Sequence, residues 1–202
     1  MTDRAATTTP APVSTTSVGR GFDAALARNA GFAEAGGHEG VNTVPALGVL
    51  VVACLDPRVD PAHLLGLELG DAMVIRNTGG RVTEEVIENI AFVAQLAERM
   101  IPDGPLFEVA VIHHTECGAR MLADDSFRAA YAARIGVDEG VVRALAVTDP
   151  FQTVKTDLDL LRAASAISSR VSFSASVYDV RTGRVTTVVP SSGAETSAAE
   201  AL

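Results

Sequence analysis

Four short stretches of the chain are apolar and mostly rich in β-branched residues: 46–53 (ALGVLVVA), 72–76 (AMVIR), 106–113 (LFEVAVIH) and 171–178 (VSFSASVY). Runs of this length read as strands buried in a sheet. A fifth, 184–189 (RVTTVV), follows the last across DVRTG, a turn signal suited to a hairpin. Between the first four, the apolar period lengthens to that of a helix. Over 83–101, Val86, Ile90, Val93, Ala97 and Met100 recur at i, i+4, i+7, i+11 and i+14. Thr83 is placed as an N-cap, with Glu84 and Glu85 at the positive end of the helix dipole. Weaker helical patterns occupy 61–66, 124–134 and 152–168.

Strand and helix in alternation predict an α/β fold: a mostly parallel central sheet of four strands, an antiparallel edge strand, and helices on both faces. The segment 21–34, where Phe22 and Leu26 stand one helical turn apart and Phe32 follows, has no place in that core. It is expected to pack on a partner subunit. Residues 1–18 and 191–202 are rich in small residues and read as disordered tails, which leaves one domain over 19–190.

Composition narrows the function. With 16 basic against 25 acidic residues the formal charge is −9, and no Lys/Arg cluster interleaved with aromatics occurs, which argues against a nucleic-acid partner. The longest apolar runs stop far short of the ~20 residues that span a membrane. The first 20 residues carry no apolar signal-peptide region, so the expected compartment is the cytoplasm. Two cysteines in 202 residues do not suit a secreted disulfide scaffold; they direct attention to a reactive or metal-binding role.

Functional groups of a parallel sheet collect beyond the carboxyl ends of its strands. Cys54, Asp56 and Arg58 lie just past the first predicted strand, and His114 and Cys117, from HHTECGAR, just past the third. If those strands are close in the sheet, two thiols and an imidazole converge. They supply three of the four ligands that zinc prefers and leave the fourth position open, as in a catalytic site. His113 points to the opposite face of a continuing strand, and His38 and His63 lack the placement of His114. Asp56 would then orient a water and Arg58 would hold Asp56 ionised and aimed. A Cys54–Cys117 disulfide or redox pair is the rival reading; it leaves Asp56, Arg58 and His114 without a role.

This constellation resembles the zinc signature of the β-class carbonic anhydrases, C-x-D-x-R followed much later by H-x-x-C, here Cys54 to Arg58 and His114 to Cys117 with Gly118 after it. The stretch GDAMVIRNTGGRVT, Gly70 to Thr83, is similar to the family's G-D-x-x-x-x-R-N-x-G segment. The resemblance spans roughly residues 45–180. It implies one zinc per chain on Cys54, His114 and Cys117, a catalytic pair of Asp56 and Arg58, and reversible hydration of CO2 to bicarbonate. It also implies a closed state in which Asp56 becomes the fourth zinc ligand, and a homodimer or larger assembly in which an N-terminal helical arm, here 19–35, lies on the neighbour and accounts for the segment 21–34. Many members carry glycine where His113 stands, and HHTECG is closer to a subgroup that includes hydrolases of COS and CS2, so those substrates form an alternative. A non-catalytic zinc-binding or thiol redox-sensing module is the alternative of another class.

Two further features receive structural readings. RNTGGR follows a strand and precedes a helix but lacks a phosphate loop's spacing and lysine, so Gly79 and Gly80 are expected to allow close backbone approach near the metal. His63, a conceivable proton shuttle, reads as a surface residue.

Overall fold

A computed structural model describes residues 21–192; the predicted tails lie outside the described residues, apart from 191 and 192. Backbone contacts divide the chain into two compact units, one up to Val41 and one from Asn42. The first contains α1 (Gly21–Glu34), none of whose residues is buried.

The second unit holds β1 (Val49–Cys54), α2 (Pro61–Leu65), β2 (Ala72–Asn77), α3 (Glu84–Met100), β3 (Glu108–His114), α4 (Asp125–Ile135), α5 (Glu139–Ala144), α6 (Pro150–Ala163), β4 (Ser172–Asp179) and β5 (Arg184–Val189). Its five-stranded sheet runs in the order β2-β1-β3-β4-β5. The first three pairings are parallel, and β4 with β5 is antiparallel. The α/β expectation with an antiparallel edge strand is therefore met.

On one face, Leu50, Val52, Val109, Val111, Ala175 and Val177 pack against α3 and α6. α3 begins as its sequence predicts, with the Thr83 hydroxyl capping the Val86 N–H. Its buried stripe is Val86, Ile90, Ala94 and Ala97, whereas Met100 is 57% exposed and Val93 only half-buried. At 3.6 residues per turn the spacing 86, 90, 94, 97 holds one direction, and the predicted 93 and 100 fall to its edge. Each fully buried Val or Ile there contributes about 1.5–3 kcal/mol of transfer free energy.

α6 starts at Pro150, two residues earlier than expected, because Asp149 caps the N–H groups of Phe151 and Gln152 and proline suits the first turn. It ends at Ala163 rather than 168. The short α5 was not foreseen, since six residues containing Gly140 carry too little periodicity. A second cluster gathers Cys54, Cys117, Ala119, Leu122, Ala132, Val142 and Val147, so α4, α5 and the 3-10 turn Gly118–Ala123 cover the carboxyl end of the sheet.

Candidate metal centre

Because β1 and β3 are parallel neighbours, Ala53 opposite Ile112, both chains leave the sheet at the same end. Cys54 closes β1, His114 closes β3, and Cys117 follows one tight turn later. That turn is made by Glu116, the one described non-glycine residue with positive φ, at 57°. Ligand atoms of Cys54, His114 and Cys117 all lie within 4.8 Å of one another, and all three residues are buried.

The donor set fits zinc. Two thiolate ligands at about 2.3 Å in tetrahedral array stand about 3.8 Å apart; the two Sγ atoms are 3.9 Å apart. His114 Nδ1 lies 2.9 Å from the Thr115 carbonyl, which can only accept, so Nδ1 carries the proton. Nε2 is thereby left as a buried lone pair with no hydrogen-bond partner among the described residues. A ring oriented in this way by a backbone carbonyl is a ready ligand.

The thiols titrate as a pair. Cys54 is drawn down, first by the hydrogen bond from Cys117, against the effect of burial, then by the backbone N–H groups of Asp56 and Gly79. Cys117 is pushed up because it keeps the proton it shares with Cys54, and burial adds to this.

Asp56 and Arg58 are joined as the spacing suggested. Arg58 Nε donates to Asp56 Oδ1 at 3.0 Å and Nη2 to Oδ2 at 2.7 Å, and the Arg58 backbone N–H adds a third bond at 2.9 Å. The Arg58 hydrogen bond is the main cause that lowers the Asp56 carboxyl to about 2. The carboxylate is ionised at any physiological pH. Asp56 is outside the trio of clustered ligand atoms, with both oxygens engaged by Arg58.

The loop carrying these residues is clamped by Arg76 of β2. Its guanidinium donates to the Cys54 carbonyl at 2.9 Å, the Asp56 carbonyl at 2.8 Å and the Asp60 carboxylate at 2.9 Å. Asn77 then closes the 3-10 turn Thr78–Gly80 by bonding both the Arg81 N–H and its carbonyl at 2.8 Å. A Cβ on Gly80 would stand 2.9 Å from Ala53 C and Cys54 N, and its φ is +66°. Close backbone approach is the role of this glycine, as expected. His63 is exposed on α2, also as expected.

Sequence reasoning assigned no role to Arg76 or to a buried triad behind the site. Asp157 of α6 is 0% exposed and accepts from Arg81 Nε and Nη2, each at 2.8 Å, the Val82 N–H at 3.0 Å and His113 Nε2 at 3.1 Å. Burial by itself would raise the Asp157 carboxyl; the bonds from His113 and Arg81 outweigh it and hold the group below its ordinary value. His113 does point away from the ligand cluster, toward α6. A signal was present: Asp157 interrupts the buried face of Val154, Leu158 and Leu161, and a carboxylate in such a stripe requires a partner.

Comparison with known proteins bears on this geometry. The carbonic anhydrase family model matches residues 49–145, which include both halves of the site. The β-carbonic anhydrase 1 of Mycobacterium tuberculosis is 30% identical over 146 residues, 72% of this chain and 85% of that one. A carbonic anhydrase structure from Streptococcus mutans is 34% identical, with a TM-score of 0.70 over 83% of this chain and 96% of that one. A carbon disulfide hydrolase of Saccharolobus solfataricus is 24% identical over 163 residues, 67% of this chain and 74% of that one. Identity at this level across most of both chains shows that this protein belongs to the β-class of the carbonic anhydrases, a family of carbonate dehydratases.

Proposed function

We propose that this protein interconverts CO2 and bicarbonate with one zinc per chain, held by Cys54, His114 and Cys117, and with Asp56 and Arg58 as its catalytic pair. The observation that carries this reading is the buried trio of two thiols and an imidazole whose Nε2 has no hydrogen-bond partner among the described residues. Zinc in such a set supplies Lewis acidity that brings the pKa of a water toward neutrality.

The chain's own residues do the positioning. Asp56, ionised and held in a bidentate grip, accepts the hydrogen bond of the attacking water and turns its lone pair toward the carbon of CO2. Arg58 prevents Asp56 from rotating and keeps it from being protonated. Release of that grip would let Asp56 take the fourth ligand position, the closed state the family resemblance implies.

Hydrolysis of COS or CS2 by the same residues is the second reading, favoured by HHTECG and by the similarity to the carbon disulfide hydrolase. Reduced thiols at the site suit the cytoplasm. A homodimer accords with the fully exposed α1 bearing Phe22, Leu26 and Phe32, and with the exposed Val74 on edge strand β2.

The test is metal analysis beside stopped-flow CO2 hydration and sulfide release from COS and CS2, with Asp56→Asn in parallel. Expected are one zinc per chain, fast hydration, and an Asp56→Asn protein that keeps zinc and loses about 100-fold or more in rate. Sulfide release with negligible hydration would select the second reading. Zinc with neither activity, or no metal, would leave a binding or redox-sensing module, and Asp56→Asn with normal turnover would remove its assigned role.

A further inference from the structure

Arg58 has a second carboxylate neighbour that neither the signature nor the proposed chemistry uses. Its Nη2 donates to the Glu116 carbonyl at 3.2 Å, and its Nη1 stands 3.6 Å from Glu116 Oε2. The other carboxylate oxygen of Glu116 accepts from Arg181 Nε at 2.5 Å, from the turn between β4 and β5. Charges therefore alternate along one line, Asp56, Arg58, Glu116 and Arg181, from the site to the surface.

Two observations distinguish this arrangement from an incidental surface contact. The Arg58 side chain is 49% exposed, and a single exposed ion pair holds a long side chain only loosely, whereas linked charges hold it better. Glu116 also occupies the left-handed region at φ 57°, where glycine or asparagine would sit with less strain. The turn alone does not call for glutamate; the two arginines do. The same turn that delivers Cys117 to the ligand cluster aims the Glu116 carbonyl at Arg58.

We propose that Glu116 is a positioning residue for the Asp56–Arg58 pair, with Arg181 as its outer anchor. The proposal rests on the reading of Asp56 and Arg58 as the catalytic pair. Glu116 limits where the Arg58 guanidinium can travel and so fixes the direction in which Asp56 presents its free lone pairs. It neither binds metal nor touches substrate.

The experiment is a mutant cycle on the zinc-loaded enzyme with Glu116→Gln, Arg181→Ala and Asp56→Asn. Glu116→Gln should lower kcat/KM for CO2 hydration about fivefold and Arg181→Ala about twofold, each at one zinc per chain. Arg181→Ala should have no further effect once Glu116 is changed, and Glu116→Gln none once Asp56 is Asn. In parallel, the Arg58 Nε–H resonance of the zinc-loaded protein should broaden and exchange faster in Glu116→Gln, while that of Arg76 stays unchanged. Glu116→Asn, too short to reach either arginine but at ease in the left-handed turn, should keep or raise Tm while losing the same activity.

An Asp56→Asn enzyme with full activity would overturn the catalytic pair itself. Loss in Asp56→Asn, with Glu116→Gln within twofold of wild type and the Arg58 resonance unmoved, would overturn the role of Glu116 alone. Equal losses from Glu116→Gln with or without Asp56, accompanied by a lower Tm for Glu116→Asn, would mark Glu116 as merely structural and overturn it too.

Discussion

Replacing Asp157 by Asn removes a charge and almost no volume from a place where every neighbour is a donor. Oδ2 receives Arg81 Nε at 2.8 Å, the Val82 N–H at 3.0 Å and His113 Nε2 at 3.1 Å, and Oδ1 receives Arg81 Nη2 at 2.8 Å. Asparagine offers one oxygen and one NH2, so in either orientation an NH2 faces a donor. The less costly orientation puts it against Arg81 Nη2. Arg81, only 5% exposed, then keeps its Nη1 bonds to the Ala144 and Ala146 carbonyls but has lost its counterion. Removing one partner of a buried ion pair costs about 3–5 kcal/mol. In a chain of this size each kcal/mol moves Tm by about 2–4 °C, so the expected fall is about 6–20 °C. Urea and thermal unfolding of the zinc-free proteins at neutral pH measure it without a metal contribution.

The pH dependence supplies a second readout of the same group. A carboxyl held below its ordinary value in the folded protein contributes stability that is complete above the unfolded pKa, about 3.9. That contribution is lost as pH falls through the lower folded value. The gap between wild type and Asp157→Asn should therefore be constant from neutrality to about pH 5 and narrow below about pH 4. A variant within about 1 kcal/mol of wild type at neutral pH, or a gap that widens in acid, would refute the buried-charge account.

Three other outcomes are expected. Cys54→Ser, with a hard neutral oxygen in place of a thiolate, should emerge from dialysis with almost no zinc by mass spectrometry; stoichiometric zinc would remove Cys54 from the ligand set. Gly80→Ala forces a Cβ to 2.9 Å from the β1 backbone at φ +66°, and overpacking with left-handed strain should cost about 2–5 kcal/mol; an unchanged unfolding midpoint would contradict the close approach. Two thiolates hold the pKa of a zinc-activated water higher than three histidines would, so hydration should quicken toward alkaline pH. Asp56, lowered to about 2, is ionised throughout that range, so Asp56→Asn should lower the whole profile and, by removing a negative charge beside the water, move its midpoint toward acid; a midpoint moved toward alkali would contradict a carboxylate at the water.

Much of this protein was determined locally in its sequence. A strand or a helix depends on periods a few residues long, so all five strands were placed to within three residues, and the Thr83 cap was where its hydroxyl suggested. The chemistry of Cys54, Asp56 and Arg58 is local for the same reason: one short stretch carries a thiol, a carboxylate and its guanidinium within five positions. Even the opposite directions of His113 and His114 follow from the alternation of a strand.

What the tertiary structure decided are the contacts between distant positions. Cys54 and Cys117 are 63 residues apart and meet because β1 and β3 are neighbours, an order no local period encodes. Arg81 and Asp157, 76 apart, become partners only when α6 lies against the sheet beside the turn Thr78–Gly80. Glu116 gained its two arginines the same way, one from the loop after β1 and one from the turn before β5. Side-chain type states what a residue is able to bind; the order of strands in the sheet selects which partner comes within 3 Å.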